Sequence, residues 1–229
     1  MNGVHRIDLP YWAIERGRPL LRIEALDLAR TAFVGIDMQN AFIAADEVFG
    51  NRHALDIVGN VNRLAGAFRA AGGRVCWTRQ TVDDDDPLHA DPHWRALAGN
   101  PFVARAKAAL RAGGASHALH PAIDCRAGDA VIDKFRYSAF LPVSCDLDAR
   151  LRAAGVDTLV IAGTLTNCCC ESSARDAYML GYRVLVVADA TAAVTDAEHN
   201  AALLNLAVMF ADVRSTDEVE GMIAAAAQG

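Results

Sequence analysis

The sequence predicts a three-layer α/β/α domain built on a six-stranded, mostly parallel sheet. Short apolar runs alternate with stretches whose apolar residues recur at helical spacing, the pattern of successive βαβ units. Glycines stop the helical stretches at Gly72-Gly73, Gly155 and Gly181, each just ahead of the next apolar run. The chain has 229 residues, 53% of them hydrophobic, which is enough for one core on both faces of a sheet.

Residues 31–37 (TAFVGID) read as the first buried strand, and 55–71 as a helix. Residues 74–79 (RVCWTR) form the second strand, and 81–100, rich in Asp, Pro and His, a loop. A helix over 102–112 precedes the third strand, 130–133 (AVID), which runs into Lys134. A helix over 146–154 leads to the fourth strand, 158–162 (TLVIA), followed by Gly163-Thr164-Leu165-Thr166 and a run of three cysteines. Then come a helix over 170–180, a fifth strand over 183–188 (RVLVVA), a helix over 196–209, a short sixth strand over 211–214 and a last helix over 216–226. Residues 1–30, with Pro10, Tyr11, Trp12 and Pro19, read as an arm outside the domain of residues 31–229, wrapping it or a neighbouring subunit. Aromatics of this kind anchor interfaces, so a homodimer or homotetramer is expected.

The net charge is −6 and aromatics make up only 7%, with no basic patch interleaved with aromatics, so nucleic acid is not the expected partner; a small molecule is. No run approaches the ~18 apolar residues of a membrane span, and residues 1–10 lack the apolar segment of a signal peptide. A cytoplasmic protein with free thiols follows as the expectation. The six cysteines are Cys76, Cys125, Cys145, Cys168, Cys169 and Cys170, with no CxxC spacing, so neither a metal nor another cofactor is expected.

In parallel sheets, ligands bind beyond the carboxyl ends of the strands. Three strands end here in reactive residues: Asp37, Lys134 and the run Cys168-Cys169-Cys170 at a helix start. A thiol at a helix start is favoured as thiolate, and the same backbone offers N–H groups to an oxyanion. Asp37 can take the thiol proton while Lys134 stabilises both anions. Each residue alone has an ordinary structural role: the aspartate as a turn residue, the lysine as a solvated charge, the cysteines as small hydrophobes.

Three stretches carry a resemblance. Residues 33–42 (FVGIDMQNAF) resemble the first motif of the isochorismatase-like cysteine hydrolases, and 131–140 (VIDKFRYSAF) their lysine motif. Residues 161–190 (IAGTLTNCCCESSARDAYMLGYRVLVVADA) are similar to their nucleophile motif, and the likeness extends over 31–222. The resemblance implies Asp37 as general base and Lys134 as assistant to the nucleophile. It implies Cys169, three residues after Thr166, as the nucleophile. It also implies a cis Thr164–Leu165 peptide, an oxyanion hole from the N–H groups of Leu165 and Cys169, and strand order 3-2-1-4-5-6. The pattern above counts two strands before the lysine strand, which leaves room for a further edge strand. Asp37, Lys134 and Cys169 are expected to meet only if their strands are neighbours.

Within that family, true isochorismatases lack the cysteine, and nicotinamidases carry an Asp-x-His metal motif. The corresponding region here reads Phe49-Gly50-Asn51-Arg52-His53, and the run 83–86 after the second strand is four aspartates, read as a solvated loop with a loose cation site as the minor alternative. The remaining branches act on ureidoacrylate, biuret and N-carbamoylsarcosine, and Asn167, Glu171-Ser172, Arg175-Asp176 and Arg136-Tyr137-Ser138 are most similar to the ureidoacrylate and biuret branch. Arg175 and Asp176 are expected to form a helix-positioning ion pair. Gln39 and Asn40 are expected to orient groups around Asp37, Asn40 equally to cap a turn, and Arg136 and Tyr137 to bind substrate or to serve the structure. The resulting expectation is cleavage of a C–N bond in a small ureido, carbamoyl or carboxamide compound through a thioester. A metal-independent nicotinamidase-like hydrolase and a thiol redox or sensing protein are the alternatives.

Overall fold

The predicted strands assemble, in a computed structural model that describes residues 5–228, into a single all-parallel sheet of order β3-β2-β1-β4-β5-β6. The strands are β1 Thr31–Ile36, β2 Arg74–Gln80, β3 Ala130–Lys134, β4 Thr158–Thr164, β5 Arg183–Ala192 and β6 Asp212–Arg214. No additional edge strand precedes the lysine strand; β3 is itself the edge, and residues 111–129 before it run as turns.

Every residue of β1 and β4 is buried, because helices cover both faces of the sheet centre. On one face Phe33, Trp77, Val160 and Leu185 pack against Val61, Leu64 and Phe68 of α4 (Val58–Ala70) and Val219 and Ile223 of α10 (Thr216–Ala226). On the other, Val34, Ile161 and Val186 pack against α7 (Leu147–Ala153), α8 (Glu171–Met179) and α9 (Asp196–Met209). Period-2 alternation is absent from the central strands for this reason, and continuous apolar runs are their signature.

Within the arm, Tyr11–Leu21 forms helix α1, which lies on α9 of its own chain. Gly17 permits that contact, since a Cβ there would stand 1.9 Å from the Ala207 carbonyl oxygen. The loop after β2 contains a short helix, α5 (Pro92–Ala96), started by Asp91 accepting from the His93 and Trp94 amides at 2.8 and 3.3 Å. Five polar-rich residues leave no apolar stripe to reveal it. The segment before α8 is a π-helical turn over Thr166–Cys170 rather than the first turn of an α-helix. Residues 1–4 of the expected arm, and Gly229, lie outside the described residues.

The carboxyl ends of β1 and β4 are pressed together at Gly163, which pairs with Ile36. Its φ of 116° is open only to glycine, and a Cβ would sit 2.1 Å from the Ile36 carbonyl oxygen. Gly163→Ala must therefore drive β4 from β1 where the reactive residues gather. A stability loss of about 3 kcal/mol or more is expected in urea unfolding; an unchanged midpoint would contradict the contact.

Candidate active site

Asp37 follows β1 with φ of 51°, a left-handed conformation uncommon outside glycine and asparagine. Its amide donates to the Thr78 carbonyl at 3.1 Å, and the Thr78 hydroxyl donates to Asp37 Oδ1 at 2.8 Å. Lys134 Nζ stands 2.8 Å from Oδ2, and both side chains are fully buried. The ammonium is the partner of Oδ2, which has no other hydrogen bond. Lys134 also donates to Gln80 Oε1 at 2.6 Å and the Arg136 carbonyl at 3.1 Å. Burial pushes its pKa down, but Asp37 and Cys169 outweigh burial and hold it above the ordinary value, keeping the ammonium charged.

The strands of the three reactive residues are not all neighbours, which corrects the expectation. β2 separates β1 from β3, so Lys134 must cross about 10 Å, two strand spacings. Its long stem covers most of that distance, while Thr78 and Gln80 of β2 fill the gap and bond to the two ends of the ion pair. Spacing rules did not flag these two residues. The available signal was two polar side chains, one residue apart and so on one face, closing an apolar strand.

After β4 the Thr164–Leu165 peptide is cis. The Leu165 carbonyl then accepts from the amides of Cys168 and Cys170, both at 3.1 Å, drawing the cysteine run into a tight turn. Cys169 is 4% exposed, Cys170 is buried in the core, and Cys168 is half-buried. The hydrogen bond of Cys169 to Cys168, then burial, raise its pKa well above the ordinary thiol value; Lys134 acts to lower it and Asp37 to raise it. The lysine charge already balances Asp37, so a thiolate would be a second anion beside one cation. Cys168 is pulled down chiefly by the hydrogen bond it shares with Cys169.

The expected substrate-binding residues divide. Gln39 Nε2 donates to the carbonyls of Gln80 (3.1 Å) and His117 (2.8 Å), and its Oε1 accepts from the Gln80 amide at 2.7 Å. Asn40 donates to the Ala115 carbonyl at 2.8 Å. Both thus tie the segment before β3 to the sheet. Arg136 directs its terminal nitrogens to the carbonyls of Leu88, His89, Ala90 and Phe135 at 2.6 to 3.3 Å, clamping the loop after β2. With Tyr137, Gln80, Asp91 and Trp94 it lines a small cleft. Tyr137 is left with its ring partly exposed there, its pKa raised first by burial and also by Cys168 and Cys169.

Asp83 and Asp84 are used locally: Asp83 accepts the amides of Asp85 and Asp86 at 3.0 and 3.3 Å, and Asp84 pairs with Lys107 at 2.9 Å. Arg175 does not pair with Asp176, since consecutive helical residues point apart; its partner is Glu171 at 2.6 Å. The sequence also gave no sign of a ligand cluster, yet His5, His53 and Asp196, from three distant segments, bring ligand-type atoms within 4.8 Å of one another. Among the described residues no helix is long and apolar enough to cross a membrane.

Residues 31–218 match the family model for the isochorismatase domain. The chain is 34% identical over 228 residues to the ureidoacrylate amidohydrolase RutB of Methylobacterium radiotolerans, covering 90% of this chain and 85% of that protein. It resembles a cysteine hydrolase structure from Pseudomonas syringae pv. phaseolicola, with TM-score 0.81 and 31% identity over 91% of this chain and 98% of that one. An N-carbamoylsarcosine amidase from Thermoplasma acidophilum aligns with TM-score 0.67 and 30% identity, over 84% of this chain and 99% of that one.

Buried histidines give the fold a pH dependence. Burial pushes His199 down to about 3 and also lowers His53 and His117 from the ordinary 6.5. Below pH 6.5 the unfolded chain binds protons that the folded chain refuses. Their stabilising contribution is complete above that pH and is lost as pH falls toward 3. Urea midpoints should fall through this window, less steeply in His199→Asn. A midpoint that stays constant on acidification would refute the assignment.

Proposed function

The chain belongs to the isochorismatase family, and we propose on that premise that it is a cysteine-dependent amidohydrolase acting on a small ureido, carbamoyl or carboxamide compound. The observation that carries this is the meeting of the Asp37–Lys134 ion pair with the Cys169 thiol. A thiol whose pKa is raised suits a base that removes the proton as attack begins.

In the proposed cycle Asp37 takes the Cys169 proton and the sulfur attacks the substrate carbonyl carbon. Lys134 balances the charge shared by carboxylate and sulfur. The oxyanion is held by the N–H groups of Leu165 and Cys169. Asp37 then protonates the leaving nitrogen, the C–N bond breaks, and ammonia or an amine departs. Water, deprotonated by Asp37, hydrolyses the thioester and restores the thiol. Both relatives above whose names give a substrate are named for ureido or carbamoyl compounds, which favours such a substrate over a plain carboxamide.

An ammonia-release panel of ureido acids, biuret, carbamoyl amino acids and aryl amides, run with excess chelator, tests the activity. Ureido or carbamoyl compounds should be turned over best. Cys169→Ala should lower kcat by at least ~1000-fold and leave the fold intact, whereas Cys168→Ala and Cys170→Val should keep most of the rate. Activity that followed Cys168 or Cys170 instead would shift the nucleophile by one residue.

A homodimer or homotetramer is also proposed, supported by the exposure of Tyr11 (69%) and Trp12 (55%) on α1. Light scattering should give at least twice the 24.4 kDa chain mass; a monomer at micromolar concentration contradicts it.

A further inference from the structure

Beside the triad the fold stacks three histidine rings. His5, from the arm, lies between His53 and His199, with ring centroids 3.9 and 4.2 Å apart and planes inclined by 26° and 13°. His5 Nδ1 meets Asp196 Oδ1 at 2.6 Å, and its Nε2 lies 3.0 Å from the Ala193 amide nitrogen and 3.1 Å from the Ala193 carbonyl oxygen. Both its nitrogens are therefore engaged, with the tautomer setting which one donates. Near-parallel rings also aim their lone pairs side by side rather than at one centre, so the arrangement is a stack more than a chelate.

On the far side of the stack His199 is fully buried. Its Nδ1 lies 2.9 Å from Thr166 Oγ1, and its Nε2 has no hydrogen-bond partner. The Thr166 hydroxyl can accept from or donate to Nδ1, so the contact forms in either tautomer. Thr166, itself fully buried, begins the turn that carries Cys169. A continuous chain of contacts thus runs from the arm, through two rings and one hydroxyl, to the cysteine turn.

With Cys169 as nucleophile for premise, we propose that His199 is a positioning residue that sets the cysteine turn through Thr166, and that His5 of the N-terminal arm locks His199 in place. The Leu165 carbonyl anchors the turn from inside, through Cys168 and Cys170; the His199 contact fixes its entry. Removing His5 opens a ring-sized gap in which His199 can tilt away from Thr166. A displacement of about 1 Å at a nucleophile is enough to lower a rate by about 100-fold.

The experiment measures kcat and KM on the best substrate of the ammonia-release panel. His199→Ala should lower kcat at least about tenfold with KM within about twofold. His199→Asn, whose amide can donate to Thr166 from the place of Nδ1, should recover most of the loss, which a purely space-filling role would not allow. His5→Ala should also lower kcat, and the double variant should fall no further than His199→Ala, because both act through one contact. If His199→Ala fails to fold, the near-isosteric Thr166→Val carries the same expectation. Iodoacetamide labelling of Cys169, which needs no substrate, should change in rate in His199→Ala and return in His199→Asn. An unchanged kcat in folded His199→Ala, or losses that multiply in the double variant, overturns the proposal. So does a wild-type rate lost on chelation and restored by zinc, which would make the histidines a metal site. Turnover surviving in Cys169→Ala would instead overturn the nucleophile assignment itself.

Discussion

The site depends on one buried ion pair. Asp37 and Lys134 carry opposite charges at a depth where neither alone is tolerable; losing one partner of such a pair destabilises a fold by about 3–5 kcal/mol. The pair persists because the strand between them supplies a hydroxyl to the carboxylate and an amide oxygen to the ammonium. Asp37 Oδ2 has the ammonium as its partner and no other hydrogen bond. A carboxylate fully hydrogen-bonded would be a poor base; a carboxylate unpaired would be protonated or exposed. The geometry lies between these limits.

Burial and chemistry are linked through the backbone of β1 and β4. Both strands are buried throughout because helices cover them on each side. The first polar residues past the sheet edge therefore emerge into a crevice with low dielectric walls, where charge interactions are strong. Gly163 closes the distance between the two strand ends, and the tight turn after it turns Cys169 back over the sheet.

The strands, their parallel arrangement and the placing of Asp37, Lys134 and the cysteine run at strand ends were legible because each rests on local pattern: apolar runs, glycine stops, and a polar or sulfur side chain at the end of a run. What was not legible rests on long-range contact. Thr78 and Gln80 acquire their roles only when β3 becomes the edge strand and Lys134 has to cross β2. The short helix α5 is defined by a capping aspartate rather than by periodicity. The histidine stack draws on residues 5, 53 and 199, which no spacing rule relates. Arg175 shows the same limit at short range, since adjacency in sequence placed it with Asp176 and helical geometry gave it Glu171.

The Arg136 clamp has an evolutionary consequence. Its guanidinium grips the loop after β2 only by main-chain oxygens, those of Leu88, His89 and Ala90. Every amino acid supplies that oxygen, so the wall can exchange the side chains at these positions while its course through space is retained. Divergence of the pocket toward new compounds is thereby uncoupled from the anchoring of its rim, and a lineage can explore specificity one loop residue at a time without dismantling the enclosure.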